Sequence, residues 1–374
     1  MRVLLLSAYA AGSHVHWREQ LLAMLPDWQF TILELPPRHF SWRVRGNPLY
    51  WSVESRSELE RGYDLVIATS MVDLATLRGL LPALASVPAV TYFHENQFAY
   101  PSSDRQSSVL EAQMVSIYSA LACDQLLFNS DFNRHTFLRG VAELLKRLPD
   151  KTPSGLPELL GAKSAVLPVP IDAEPVDALE GAWPGKEGEL PERSLRIVWQ
   201  GRFEFDKGAE QLLALVKELE RRDHDYELAL LGQTFRQMPG AFNQIKTEFA
   251  HRLVHFGFLE SKSAYRALLC QADVALSTAL HEFQGLAVLE AVVRGCLPLV
   301  PDRQVYPELF PSQFRYVSSL EDPEREAQAA VEKLESHRVT LGAGSHERPD
   351  VGAFQPSQLA ARYRAVLSEV ARSG

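Results

Sequence analysis

Glu282 and Glu290 are separated by seven residues, with Gly285 between them and a helix-forming run around the second acid. One carboxylate then falls in a loop, a glycine at a helix start, and the other carboxylate about five residues further on. Eight helical positions would span about 12 Å, at about 1.5 Å per residue, roughly the length of a sugar diphosphate. A helix start holds an anion on its free N–H groups, because unpaired donors and the helix dipole both favour negative charge there. One acid is then left for a sugar and one for a ribose. The same pair suits a paired-carboxylate hydrolase almost as readily, or a plain core helix with one acid near its cap and one on a wet face.

A second constellation runs from Gln200 through Gly201-Arg202-Phe203-Glu204-Phe205-Asp206-Lys207 to Gly208. Gly201 permits a tight exit from a strand, Arg202 offers a planar fork of donors, and Lys207 a point charge ahead of a helix. Together they suit a diphosphate whose charge rises as it departs; a solvated surface turn is the plainer alternative. Gly12-Ser13-His14 follows another strand. Gly12 would let a phosphate or sugar approach the backbone, and Ser13 is equally a candidate N-cap. His94-Glu95-Asn96-Gln97 is polar at a strand end, costly to bury without partners and better suited to a wet site. Gly232-Gln233-Thr234 and His255-Phe256-Gly257-Phe258 end two further strands, where they could line a nucleotide and flank a base. In residues 36–51, Arg38, Arg43 and Arg45 alternate with four aromatics, a mixture that suits phosphates and unstacked bases as well as a helical hairpin packed on a sheet. Lone histidines such as His224 and His337 read as surface residues.

These groups need a frame. Apolar runs at 3–6, 30–33, 65–68, 90–93, 125–128 and 164–167 alternate with amphipathic segments such as 15–25 and 108–122. A second set of strands is expected at 195–199, 227–231, 252–256, 274–277, 297–300 and 314–317, with helices near 208–222, 261–271, 286–295, 324–337 and 356–372 and a loop over 339–352. Such alternation implies parallel sheets covered by helices. The 374 residues suffice for two cores. The expected domains are 1–172, a Pro-, Gly- and acid-rich linker at 173–192, and 193–374, with the last helix packing back on the first domain. Ligands in such folds sit at the C-terminal ends of the strands, where every motif above lies.

Composition excludes several classes. The chain is 46% hydrophobic and 23% charged, a globular balance. The formal net charge is −9, and residues 1–170 carry 15 Lys and Arg against 16 Asp and Glu, which argues against a sequence-blind nucleic-acid binder. No apolar run reaches the roughly 18 to 20 residues that cross a bilayer, so no stable membrane association is expected, and the opening residues read as a strand rather than a signal peptide. Three isolated cysteines form no metal-ligand spacing and fit a reducing, cytoplasmic setting.

The Gly-Arg…Lys-Gly turn and the paired glutamates resemble the retaining GT-B glycosyltransferases of family 4. Gly12-Ser13-His14, Trp42-Arg43-Val44-Arg45, Phe93-His94-Glu95-Asn96-Gln97 with Tyr100-Pro101, Phe128-Asn129-Ser130, Ser277-Thr278-Ala279 with His281-Glu282-Phe283, and Val305-Tyr306-Pro307-Glu308 resemble the tRNA-queuosine α-mannosyltransferase family. The resemblance implies an α/β GT-B fold, two Rossmann-like domains facing each other across a cleft. It implies GDP-mannose as donor and queuosine-containing tRNA as acceptor. Glu282 would serve the donor sugar, Glu290 the ribose, Arg202 and Lys207 the diphosphate, and His94 would lie by the sugar. Gly12, Gly201 and Gly232, with Phe283, Gln284, Gly285 and Leu286, complete the expected donor site. Ser13, His14, Arg43, Arg45, Glu95, Asn96 and Gln97 are expected to meet the acceptor. No Asp-x-Asp stands at a strand end, so basic residues are expected in place of a metal, with no cofactor and with retention of configuration. Transfer to a lipid or saccharide and sugar-nucleotide epimerisation are the competing activities; a non-catalytic binding module is a further alternative.

Overall fold

The computed structural model describes all residues except 100–108, 177–182, 185–187, 189, 191–192, 236, 345–346 and 374. Tyr100 and Pro101 therefore lie outside the described residues. The chain divides into two compact units, Met1–Pro170 with Phe354–Gly374, and Ile171–Ala353.

The first unit is built on six parallel strands: β1 (Arg2–Ser7), β2 (Gln29–Glu34), β3 (Leu65–Thr69), β4 (Ala89–Phe93), β5 (Gln125–Phe128) and β6 (Ser164–Val166), in the order β2-β1-β3-β4-β5-β6. Val3 to Leu6 and Leu65 to Ala68 are essentially inaccessible to solvent. This explains why the strands read as unbroken apolar runs: parallel strands are covered on both faces. Helix α1 (Gly12–Met24) follows β1, α2 (Phe40–Glu54) follows β2, and α3 (Val109–Leu121) and α4 (Asp131–Arg147) flank β5. The structure places the N-cap of α1 at Ala11, so Ser13 is an exposed first-turn residue and not the cap.

The second unit repeats the plan. Strands β7 (Leu195–Gln200), β8 (Tyr226–Leu231), β9 (Leu253–Gly257), β10 (Val274–Leu276), β11 (Leu297–Pro301) and β12 (Arg315–Tyr316) lie in the order β12-β11-β10-β7-β8-β9. Helices α5 (Ala209–Arg221), α6 (Lys262–Gln271), α7 (Leu286–Val293) and α8 (Pro323–Gly342) alternate with them. On α5 the buried Leu212, Leu215, Val216 and Leu219 recur at helical spacing and face the sheet. Helix α8 runs five residues beyond its expected end. It starts from an Asp322 cap with Pro323 in its first turn, and its buried Ala327, Ala330, Val331 and Leu334 carry the stripe to His337. His337 is buried against the carbonyl of Pro298 at 3.1 Å, not on the surface. Trp183, inside the stretch expected to be a linker, is buried in this unit. Its indole N–H donates to Glu227 at 2.7 Å and Arg196 lies over its ring. The last helix, α9 (Pro356–Ser373), belongs to the first unit.

In each sheet the chain reverses its direction of travel once. The reversal falls between β1 and β3 in the first unit and between β7 and β10 in the second. Loops leaving strands at such a switch point diverge and open a crevice. The loops after β7 and β10 carry Lys207 and Glu282.

Candidate active site

Leu276 on β10 is level with Trp199 on β7, so the two following loops leave the sheet side by side. The Trp199 indole donates to Thr278 Oγ1 at 3.0 Å, and that hydroxyl donates to the Lys207 carbonyl at 2.9 Å. The amides of Leu280 and His281 both donate to the Asp206 carbonyl. Arg303 secures the β10 loop from behind, donating to the carbonyls of Ala279 at 2.8 Å and Thr278 at 3.0 Å and pairing with buried Glu326 at 2.6 Å. Gly208, at φ 72°, caps α5 where any Cβ would stand 2.0 Å from the Thr278 carbonyl oxygen. Two loops separated by some seventy residues of chain are thus bound into one platform.

The Lys207 ammonium lies 3.1 Å from Glu282 Oε2, 3.3 Å from Asp206 Oδ2 and 3.2 Å from the His281 carbonyl. Burial alone would lower the Lys207 pKa, but Glu282 and Asp206 outweigh it and hold the ammonium above its ordinary value. Burial likewise opposes ionisation of Glu282. Lys207, with the Gly285 amide, reverses that and keeps the carboxyl below the usual range. Both groups are therefore charged at neutral pH. The acid expected at the sugar and the cation expected at the diphosphate are thus ion-paired.

Gly285, at φ 68°, is the N-cap of α7, so the first-turn N–H groups of that helix stand beside Glu282. A small cleft is lined here by Trp199, Gln200, Lys207, Glu282, Gly285 and Tyr306. Of the other expected donor residues, Phe283 and Gln284 are buried and Leu286 is half-buried. Arg202 extends half-exposed beside the platform, 3.0 Å from Glu204. Gly232 is in close approach to the Gly201 carbonyl, where a Cβ would overlap. Gln233 and Thr234 are exposed, as is Phe258.

Glu290 accepts from the Tyr265 hydroxyl at 3.1 Å, and Gln200 donates to that hydroxyl at 2.6 Å. Sequence reasoning missed Tyr265, whose place on α6 gives no signal until β7, α6 and α7 are brought together. Tyr306 donates to Ser277 Oγ at 2.6 Å and was legible only as part of a motif. If the chain of bonds through Tyr265 orients Glu290 toward a ribose, Tyr265→Phe should raise KM for the nucleotide sugar about three- to tenfold, the loss of one modest hydrogen bond, with kcat little changed. Steady-state kinetics with varied donor decides it; an unchanged KM removes Tyr265 from the site.

The first unit holds a second cluster. Gly12 opens α1 with nothing within 4 Å of where its Cβ would stand, so the fold does not need glycine there and the space in front is open. His14 is buried and stacks on buried His94, with ring centroids 4.1 Å apart. The expected wet row of His94 to Gln97 is corrected in two places. His94 is 7% exposed, and Asn96 is committed to the fold: its amide donates to Asn133 and Thr136 on α4, and its oxygen accepts the amides of Phe98 and Ala99. Asn96 thereby has no free valence for an acceptor. Gln97 is half-buried, and its carbonyl accepts from Gln113. Glu95 is half-buried.

Arg45, expected to meet the acceptor, keeps 48% of its side chain exposed. It pairs with Asp73 at 2.9 Å and Glu111 at 3.0 Å, bracing α2 against its neighbours. Arg43 is half-buried, and its Nε is enclosed without a hydrogen-bond partner. The exposed part of α2 is dominated by Trp42, Leu49, Tyr50 and Val53. Among the described residues, no group of three or more His, Cys, Asp or Glu is placed to hold a metal ion, and no helix is long and apolar enough to cross a membrane.

This geometry can be set against known proteins. Residues 2–171 match the family model for the tRNA-queuosine alpha-mannosyltransferase N-terminal region, and residues 185–338 match that for glycosyl transferases group 1. The chain is 32% identical over 318 residues to the tRNA-queuosine alpha-mannosyltransferase of Drosophila melanogaster, covering 85% of this chain and 84% of that protein. It is 26% identical over 119 residues to the GDP-mannose:cellobiosyl-diphosphopolyprenol alpha-mannosyltransferase of Xanthomonas oryzae pv. oryzae, covering 32% and 31% of the two chains. A sucrose-phosphate synthase from Thermosynechococcus elongatus superposes over the full length of both chains, with a TM-score of 0.70 and 16% identity, a likeness of fold. Twin parallel sheets of this kind are the GT-B fold. With a relative at this identity matched over 85% of the chain, and with its C-terminal half matching glycosyl transferases group 1, the chain is a glycosyltransferase and belongs to the tRNA-queuosine alpha-mannosyltransferase family.

Proposed function

We propose that this glycosyltransferase moves a mannosyl group from GDP-mannose to queuosine in tRNA, with retention at the anomeric carbon. The observation that carries the acceptor is the identity of 32% over 318 residues to the Drosophila enzyme named for that reaction. The donor is supported by the Xanthomonas relative, which is named for GDP-mannose. In this reading the diphosphate rests on the first N–H groups of α7, with Lys207 and Arg202 beside it, Glu282 on the sugar and Glu290 on the ribose. The bond from the anomeric carbon to the β-phosphate oxygen breaks. The acceptor oxygen bonds to that carbon on the same face, and its proton passes to the departing phosphate. Charge building on the leaving group is met by groups already in place, which is where fixed donors contribute most. We propose that Lys207, Arg202 and the helix start do this in place of a metal ion, and that the acceptor places the enzyme in the cytoplasm.

The test is incubation with queuosine-containing tRNA and a panel of sugar nucleotides, followed by mass analysis of the digested nucleosides. A hexose added to queuosine from GDP-mannose, with the α-anomer in the product, is expected. Addition from another donor corrects the sugar. No addition with any donor, alongside transfer to a lipid or saccharide or conversion of the donor alone, overturns the reading.

A further inference from the structure

His94 packs against three aromatic rings. His14 lies against one face at 4.1 Å with an interplanar angle of 22°. Trp17 meets it edge-on at 4.9 Å, and Tyr92 tilts against it at 4.7 Å. These rings are themselves pinned. The Trp17 indole donates to the Tyr363 hydroxyl on α9 at 2.9 Å, and Tyr363 and Tyr92 donate to the carbonyls of Pro168 and Leu167. Asn129 fixes the His94 backbone through a 2.8 Å bond to its carbonyl. Beside these rings His94 Nε2 is buried and has no hydrogen-bond partner. A buried ring nitrogen left unsatisfied in so ordered a site marks a place where a ligand group completes the bond.

We propose that His14 is a positioning residue: stacked on His94, it fixes the plane of that imidazole and keeps positive charge out of it, so that Nε2 meets a substrate hydroxyl as a neutral group. The identity of that hydroxyl rests on the mannosyl-transfer reading; the pairing of the rings does not. Two imidazolium ions at stacking distance repel, and neither is solvated here. The titratable groups around His94 are His14 and His16 from α1, Tyr92 from its own strand and Tyr363 behind it, with Glu95 next in sequence. Burial, with His14 and His16 adding to it, holds His94 well below the ordinary histidine value. A neutral ring both donates and accepts, which suits a hydroxyl. A protonated one could only donate.

The experiment is an NMR titration of labelled histidine in the wild type, His14→Phe and His14→Gln, beside transfer rates measured from pH 5.5 to 8.5. In the wild type His94 should stay neutral as pH falls past about 6.5. In the variants it should protonate at higher pH than in the wild type, because the stacked imidazole no longer opposes charge on it. The acid limb of turnover should move to higher pH with it, so that the loss in the variants grows as pH falls. Glutamine serves if phenylalanine is too large for the site, and thermal unfolding reports on the fold. Unchanged His94 titration in both variants, a loss equal at every pH, or unfolding of both variants would overturn the proposal by reducing His14 to packing. Absence of mannosyl transfer in the wild type would sink the reaction while leaving the titration to decide His14.

Discussion

Lys207→Met should lower transfer by about two orders of magnitude or more, a larger loss than removing a single phosphate contact would give. A charge-assisted hydrogen bond contributes roughly 1.5–3 kcal/mol, or about 10- to 100-fold in rate if expressed mainly in the transition state. The substitution also strips Glu282 of its counter-ion. The pair is largely enclosed, with side-chain exposures of 16% and 25%, and leaving one member of a buried pair alone costs about 3–5 kcal/mol at full burial; this site should show the lower end. Glu282 would then take up a proton more readily and cease to be a fixed anion in the cleft. Its folded pKa is depressed, so its stabilising effect is present above the unfolded value near 4.3 and is lost as pH falls through the lower folded value. The Lys207 pKa is raised, so its contribution is complete below about 10.4 and is lost as pH climbs through the higher folded value. The stability gap between wild type and Lys207→Met should therefore close at strongly acid pH, where Glu282 is protonated in both, and widen as pH rises and Glu282 ionises without its partner in the variant. Denaturant unfolding at several pH values and steady-state transfer check both halves. Wild-type turnover in this variant would remove Lys207 from the diphosphate site.

The strands were the most legible part of the molecule because parallel strands, covered on both faces, leave a continuous apolar imprint. The run at 125–128 matches β5 residue for residue. Helix α4 was not read at all. It opens Asp131-Phe132-Asn133-Arg134-His135, and its apolar side is sparse, yet Ser130 is a cap that accepts from the Asn133 amide. The site residues were legible by type and by position at strand ends. Their mutual arrangement was not. Lys207 and Glu282 lie 75 positions apart, and only the pairing of β7 with β10 brings them within 3.1 Å. Asn96 was misread because its partners on α4 belong to a helix the pattern did not reveal. The partners of Arg45, Asp73 and Glu111, arrive from distant segments and left no signal in its own stretch. Local chemistry fixes what a side chain can do, while the topology decides whether its valences are already spent.

Gly208→Ala should be among the most damaging single-methyl changes in the second unit, with Gly232→Ala. Gly208 holds φ 72°, a left-handed backbone that costs an alanine about 1–2 kcal/mol by itself. The larger cost comes from what faces it. The new Cβ would stand 2.0 Å from the Thr278 carbonyl oxygen, a backbone atom and not the end of a flexible side chain. That carbonyl cannot retreat freely, since Arg303 donates to it at 3.0 Å while held by Glu326, and the Thr278 hydroxyl is tied to both Trp199 and the Lys207 carbonyl. Relief requires the two loops to part, which moves Lys207 from Glu282 and tilts the start of α5. A destabilisation of about 3 kcal/mol or more is expected, from backbone strain and overpacking together. Transfer activity should fall beyond what the unfolded fraction accounts for. Gly240→Ala is the control, since a Cβ there meets nothing within 4 Å, and it should unfold like the wild type. Equal denaturation midpoints for the two variants would mean that the loops after β7 and β10 move independently, and the platform for the diphosphate would have to be assembled by the substrate and not by the fold.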